Sequence, residues 1–218
     1  MKNAILILLL ILSSNKIVSQ TEIINPSGKW YFGIEIGTNK ISSFSIGKTK
    51  QSLQGGVLAE YYFARHWSLS GRVKYFETGV SFYKPNTHSG SWFDLGSDES
   101  FGTFEGAVIA IPIDIKWEFR IHKNLGGSLK LGYGFNLETK SNYSNYSSNL
   151  PIDYSKQYGS FNLGYGLNYF MNKKMALYID VEFYSGDSKG NSDGFFGKTY
   201  YPTENNLINL GIKYNFKK

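Results

Sequence analysis

The chain has 218 residues, a formal net charge of +6, an aromatic content of 17% and no cysteine. Without cysteine it cannot form disulfides, bind zinc through thiolates or carry the lipidated cysteine of a lipoprotein. The positive charge does not collect in a run or a stripe, which argues against nucleic acid as a partner.

The first residues have the order of a cleavable signal peptide. Lys2 supplies a positive charge, and Ala4 to Leu12 form an apolar run. That run is too short for a membrane-spanning helix, which needs about 20 residues. We expect cleavage near Ser19, with an uncleaved anchor as the alternative, and export again excludes nucleic acid. The expected division is a signal peptide, residues 1–19, a periplasmic N-terminal segment, residues 20–28, and a barrel domain, residues 29–218.

Apolar and polar residues then alternate with a period of two, which is typical of β-strands. The alternating segments are residues 30–37, 56–63, 69–75, 104–119, 129–138, 161–169, 177–184 and 208–216. In the fourth segment Ile111, Ile113 and Ile115 share one face, whereas Asp114 and Lys116 share the other. A tall apolar face beside a charged face fits lipid outside and a polar interior. The sequence therefore predicts an all-β fold, a closed eight-stranded antiparallel up-and-down transmembrane β-barrel.

The connections between these segments alternate in length. Short turns are predicted at residues 64–66, 120–124 and 171–174, and long loops at residues 39–53, 83–103, 140–157 and 186–205. Outer-membrane barrels have short periplasmic turns and long extracellular loops. Trp30, Trp67 and Trp117 lie at the short-turn end, where amphipathic rings are expected to form an interfacial girdle. Pro112 cannot donate a ladder hydrogen bond, so we expect a local irregularity or a bulge there.

Charged residues occur on the face expected to line the interior. They are Glu35, Glu60, Arg72, Lys74, Asp114, Lys116, Glu118, Lys130, Glu138, Asp180, Glu182 and Lys213. Paired carboxylates such as Asp180 and Glu182 suit acid–base catalysis in principle. We favour a structural network, because side chains fill the interior of an eight-stranded barrel and buried charges are normally paired. An open pore for solutes is then not expected.

A hydrolytic site is not predicted. A membrane deacylase or acyltransferase would need histidine and serine near the outer leaflet, whereas His66 and Ser68 lie at the short-turn end. None of the three histidines is placed with a serine and a carboxylate at the outer rim. We therefore predict a non-enzymatic protein without a cofactor or a metal.

The second and fourth long loops combine aromatic and acidic residues. The candidate contact residues are Trp92, Phe93, Asp94, Phe195, Phe196, Tyr200 and Tyr201. Such residues suit stacking on sugars or calcium binding through oxygen. The alternative is that the aromatic rings cap the barrel or lie at the outer interface.

Three segments, together with the signal peptide, carry a resemblance to a known group. They are Ile111–Trp117, Tyr158–Gly166 and Leu210–Phe216. The chain resembles the Bacteroidetes-type small outer-membrane β-barrels, porin-like and PorT-like, which are similar in architecture to OmpA and OmpX barrels. The resemblance implies the outer membrane of a Gram-negative bacterium, with membrane lipids and an envelope protein as partners. Phe216 resembles the near-terminal aromatic signal for the barrel assembly machinery.

Fold alone does not give function. The favoured hypothesis is a non-enzymatic barrel whose surface loops serve envelope integrity, adhesion or partner binding. The alternatives are an accessory subunit of a secretion or envelope machine, as the PorT-like resemblance implies, and a narrow porin-like channel. A soluble ligand-holding barrel is a further alternative to the fold itself.

Overall fold

A computed structural model describes residues 24–42, 50–84, 99–144, 155–194 and 197–216. The expected signal peptide and the start of the N-terminal segment lie outside these residues. The described residues contain no helix with the length and apolar character that crossing a membrane requires.

The described chain forms eight strands. They are β1 Trp30–Ile41, β2 Lys50–Ala64, β3 Trp67–Lys84, β4 Glu99–His122, β5 Leu125–Ser144, β6 Gln157–Phe170, β7 Met175–Gly194 and β8 Gly197–Tyr214. Each strand pairs antiparallel with the next, and β1 pairs with β8, for instance Ile34 opposite Ile212. The ring is closed, and the prediction of an eight-stranded up-and-down barrel is confirmed.

Alternation along each strand separates an apolar outer face from a polar inner face. Ile113 and Ile34, on the outer face, are 49% and 64% exposed, whereas Asp114 on the inner face is 1% exposed. The separation follows because successive side chains of a strand point to opposite faces. A soluble barrel would have the opposite arrangement.

The strands extend further toward the long-loop end than the alternation predicted. The largest difference concerns residues 186–205, predicted as a long loop, which instead form most of a hairpin between β7 and β8 with residues 195–196 between the strands. The prediction of a long loop there is wrong. Two register shifts, between Ser185 and Ser188 and between Ser188 and Asn191, interrupt the pairing of this hairpin, and such irregularities hide the period of two.

Pro112 does not produce the expected bulge. On the β5 side it lies opposite Gly134, in an unshifted register. On the β3 side the register is the same before and after it, with Gly71 opposite Ile113 and Lys74 opposite Ala110. No residue is inserted beside Pro112 on either neighbouring strand, although the pairing with β3 is interrupted there. The missing N–H is therefore accommodated by a local irregularity without a bulge.

Apolar side chains close both ends of the barrel. At the short-turn end Ile24 packs with Tyr31, Tyr62, Phe170 and Ala176. Here the N-terminal residues turn under the barrel at Gly28, whose φ of 75° favours glycine, and the Gly28 amide donates to the Tyr62 carbonyl at 2.7 Å. At the long-loop end a second cluster contains Val80, Phe82, Phe104 and Tyr201.

Candidate functional site

The most unusual feature of the molecule is the charge inside the barrel. All twelve charged residues selected from the sequence are buried on its inner face. Eleven of their side chains form two networks, and the twelfth, Glu138, pairs with a further buried lysine, Lys189.

The lower network consists of two lysines and two glutamates near the short-turn end. Lys116 Nζ lies 2.5 Å from Glu60 and 2.7 Å from Glu118. Lys213 Nζ lies 2.6 Å from the second oxygen of Glu60. Tyr62 donates its hydroxyl hydrogen to Glu118 at 2.6 Å. The four charges balance, so this layer is electrically neutral.

The central network lies above the lower one and is organised around Arg72. The guanidinium is 2.9 Å from Asp114 and 3.1 Å from Asp180. It is also 3.5 Å from both Glu35 and Glu182. One buried arginine from β3 therefore joins carboxylates from β1, β4 and β7. The planar fork of donors in arginine suits such multiple contacts.

Two lysines complete the central network. Lys74 contacts Glu35 at 2.7 Å and also pairs with Glu182. Lys130 contacts Asp180 at 2.7 Å and also pairs with Glu182. Tyr178 donates to Glu35 at 2.8 Å. Charges this far from water are stable only when they are paired and hydrogen-bonded.

Glycines on the inner face create the space that the central carboxylates occupy. Gly132 and Gly166 lie opposite Asp114 and Asp180 on neighbouring strands. A Cβ atom at either glycine would overlap a carboxylate oxygen of the opposing aspartate. The interior can therefore hold these side chains because the facing residues have none.

A separate ion pair lies toward the long-loop end. Lys189 of β7 pairs with Glu138 of β5, and its ammonium donates to the Ser155 carbonyl at 2.8 Å. The same ammonium lies 3.9 Å from the ring centre of Tyr158 and 5.6 Å from that of Phe104, at cation–π distance. Lys189 was not among the predicted interior residues because it lies in the segment predicted as a loop.

Buried amides fill the space between the central network and this pair. Asn39 donates to Asn205 at 3.0 Å, and Asn205 donates to Thr78 at 3.0 Å. Gln54 donates to Asn209. This layer of amides was not predicted from the sequence either. Uncharged amides on a strand face do not indicate an interior position as clearly as charged residues do. The alternation of the strand nevertheless continues here, since Asn205, Leu207 and Asn209 are alternate residues of β8 and all point inward.

The charged groups inside the barrel are almost all paired with one another. Within the described residues seven buried carboxylates face six buried cations, and each carboxylate lies within 4.0 Å of a cation. Groups engaged in this way hold the wall together and are not available to an incoming substrate. No cluster able to hold a metal ion occurs in this part of the chain.

The candidate loop residues have different locations. Tyr200 and Tyr201 lie in β8 rather than in a loop. Tyr200 is exposed, whereas Tyr201 is buried and packs edge-on against Phe82 at 5.4 Å. The remaining candidates, Trp92, Phe93, Asp94, Phe195 and Phe196, lie outside the described residues.

His66 and Ser68 have structural contacts that keep them apart. His66 lies in the exposed turn between β2 and β3, with Nδ1 2.9 Å from the Glu118 carbonyl. Ser68 is buried on the inner face and donates to Glu60 at 2.7 Å. This arrangement does not make a nucleophile and base pair.

The apolar outer face, the short turns at one end and the charged interior define an outer-membrane β-barrel. A family model described as "Outer membrane protein beta-barrel domain" matches residues 4–216. The chain therefore belongs to this outer membrane β-barrel family. Among curated proteins none matches the chain.

Three solved structures are similar to this chain. OprG of Pseudomonas aeruginosa is 14% identical, with 90% of this chain and 100% of that chain covered and a TM-score of 0.55. Neisserial surface protein A is 14% identical, with 86% and 97% covered and a TM-score of 0.50. Ail of Yersinia pestis is 14% identical, with 87% and 99% covered and a TM-score of 0.46. At such identities OprG and the neisserial protein share the fold alone.

The protein resides in the outer membrane, so its outer face contacts lipid and its short turns face the periplasm. A charge placed on the outer face is expected to destabilise the barrel, and more so near the middle of the bilayer than near its surfaces. We expect Ile113→Lys, at mid-strand, to lower the free energy of unfolding by about 2–3 kcal/mol. The control Ile121→Lys, near the periplasmic end of β4, should cost less than about 1 kcal/mol. Urea unfolding in lipid vesicles measures both, and equal losses would contradict the assigned depths of these two residues in the membrane.

Proposed function

We propose that this protein is a non-enzymatic, non-conducting outer-membrane barrel that presents its extracellular strand extensions and loops to a partner. The observation that carries the proposal is the filled interior. Two ion networks and a layer of amides occupy the lumen, and apolar clusters cover both ends. Because the lumen is filled in this way, a partner would be recognised by the surface that extends beyond the membrane.

The hairpin of β7 and β8 supports a role for that surface. The outer face changes from apolar to polar between Phe183 and Ser185 and between Ile208 and Asn206. The hairpin continues past this level to Gly194 and Gly197. Because rigid strands hold it, it can present side chains such as Tyr200, 60% exposed, with little loss of conformational entropy.

Conductance separates this proposal from a narrow porin-like channel. In planar bilayers the folded protein is expected to give no reproducible opening steps, since each lumen layer is closed by paired side chains. A general porin inserted under the same conditions is the positive control, and the shift of the unheated band on a gel verifies folding. Regular opening steps of one size would contradict a closed lumen.

Cross-linking in the native envelope tests whether the hairpin binds a partner. We expect surface cross-linking to give a defined adduct with the wild-type chain. Replacing residues 190–200 with a two-residue Asn-Gly turn, which keeps the buried Lys189 and Tyr201, should remove that adduct. The matched control carries Lys173→Ser and Lys174→Ser in the periplasmic turn and should keep it. A hairpin variant that still folds and still forms the adduct would refute this role.

Cross-linking, together with the size of the complex extracted from native envelope, addresses the accessory-subunit alternative. A barrel that belongs to a secretion or envelope machine should migrate in a large assembly extracted from native envelope. In that case the adducts should include periplasmic partners and should depend on the control turn. A chain that migrates alone would count against the machine.

A further inference from the structure

A cleft with four basic side chains lies at the periplasmic end of the barrel. Arg65 and His66 come from the turn between β2 and β3, and Arg120 and Lys123 come from the end of β4 and the turn after it. All four are exposed. A backbone contact fixes the turn between β2 and β3 against β4, because the Glu118 amide donates to the His66 carbonyl at 2.8 Å.

The cleft lacks a counter-charge among the described residues. None of the ion pairs there includes Arg65, Arg120 or Lys123. Glu118 lines the cleft, but its carboxylate is buried on the inner face and is 2.7 Å from Lys116. Arg120 donates to the Ile24 carbonyl at 2.7 Å, which holds its guanidinium in place and leaves its charge uncompensated.

An apolar groove of about 550 Å³ adjoins the cleft on the lipid-facing wall. Phe119 lines both the cleft and the groove. The other side chains of the groove come from three neighbouring strands and include Leu129, Tyr165, Leu167, Ile179 and Val181. The groove has this shape partly because Gly127 lies under the ring of Phe119, where a Cβ would overlap it.

We propose that the cleft and the groove together bind one anionic phospholipid of the periplasmic leaflet. Its phosphate lies among Arg65, Arg120 and Lys123, and one acyl chain follows Phe119 into the groove. Guanidinium groups suit phosphate because they donate paired, charge-assisted hydrogen bonds. The depth also fits, because Trp117 and Trp67, opposite each other at this end, mark the interface where headgroups lie.

The charge requirement is tested by native mass spectrometry of the full chain in detergent. The probes are phosphatidylglycerol and phosphatidylcholine with identical acyl chains. Two surface arginines predict tighter binding of phosphatidylglycerol by up to about 30-fold. Arg65→Gln with Arg120→Gln should remove the contribution of the arginines and leave only the smaller preference due to Lys123. Lys173→Gln with Lys174→Gln, which removes the same charge from another periplasmic turn, should preserve the full preference. Equal binding of the two lipids by the wild type, or equal loss in both variants, would overturn the proposal.

The acyl-chain requirement is tested by filling the groove. Val181→Trp should weaken phosphatidylglycerol binding by at least about fivefold, because the indole occupies the groove and excludes the acyl chain from its apolar lining. Val57→Trp, on the lipid-facing wall of β2 outside the groove, is the matched control and should leave binding unchanged. Excess inorganic phosphate should not displace the lipid. Displacement by phosphate, or wild-type binding by the Val181 variant, would identify a simple anion site and overturn the assignment. The gel shift on heating verifies that each variant is folded.

Discussion

Replacing Arg72 with leucine is expected to lower the free energy of unfolding by about 3–5 kcal/mol. Arg72 contacts Glu35, Asp114, Asp180 and Glu182 in the central network. Without it, four buried carboxylates face two lysines. The loss reflects uncompensated buried charge rather than the strength of a single ion pair, since removal of one partner leaves the other charges unpaired.

Urea unfolding in lipid vesicles measures this loss. The matched control is Lys140→Leu, which removes a positive charge from an exposed position of β5 and should change stability by less than about 0.5 kcal/mol. A double variant, Arg72→Leu with Asp114→Leu, should be more stable than Arg72→Leu alone because it removes one of the unpaired buried carboxylates. If Arg72→Leu were no more destabilising than Lys140→Leu, the central network would not contribute to stability.

Gly37→Val is expected to prevent normal closure of the barrel, with a loss of more than about 3 kcal/mol. Gly37 lies opposite Asn209 across the seam between β1 and β8. A Cβ there would overlap the Ile208 carbonyl oxygen and would lie 2.6 Å from Gln54 Nε2. The Ile208 oxygen belongs to the backbone and cannot rotate away, so the strands must separate.

The heat-dependent gel shift measures the closed fraction of this variant. Gly71→Val on β3 is the matched control, because a Cβ at Gly71 meets nothing within 4 Å. We expect the control to show the wild-type shift and Gly37→Val to run mostly as unfolded protein. A normal shift for Gly37→Val would mean that the seam tolerates a side chain, contrary to the packing described above.

The parts of the fold that follow a strict alternation were predictable. The run from Ile111 to Phe119 identified β4, the outer face and the inner carboxylates together, because one period of two determines which side chains share a face. The number of strands and their closure followed from repeating that pattern along the chain. The same reasoning placed the turns at the periplasmic end.

The long-loop end was not predictable in the same way. Between Ser185 and Gly194 the residues are mostly glycine, serine, aspartate and lysine, which are typical of loops. Their strand structure depends on pairing with β8, and the pairing contains two register shifts. Backbone hydrogen bonding to a partner strand thus outweighs weak local propensity, and Lys189 is placed inside the barrel as a consequence.

The identity of the charged residues was predictable but their partners were not. Arg72 and Asp180 are 108 positions apart, and Lys213 and Glu60 are 153 positions apart. Which inner residues meet depends on the stagger between strands and the curvature of the ring. The amide layer of Asn39 and Asn205 depends on the same geometry.

The accessibility of cysteines placed inside the barrel shows whether the lumen is filled. The chain has no native cysteine, and Ser70 and Ser128 are buried on the inner face with hydroxyls that lack a hydrogen-bond partner in the described structure. Ser70→Cys and Ser128→Cys should therefore fold normally. In the folded protein a small water-soluble thiol reagent should leave both unmodified while it modifies Ser155→Cys on the exposed extracellular side. Rapid modification at positions 70 and 128 would demonstrate an open aqueous lumen in place of a filled one.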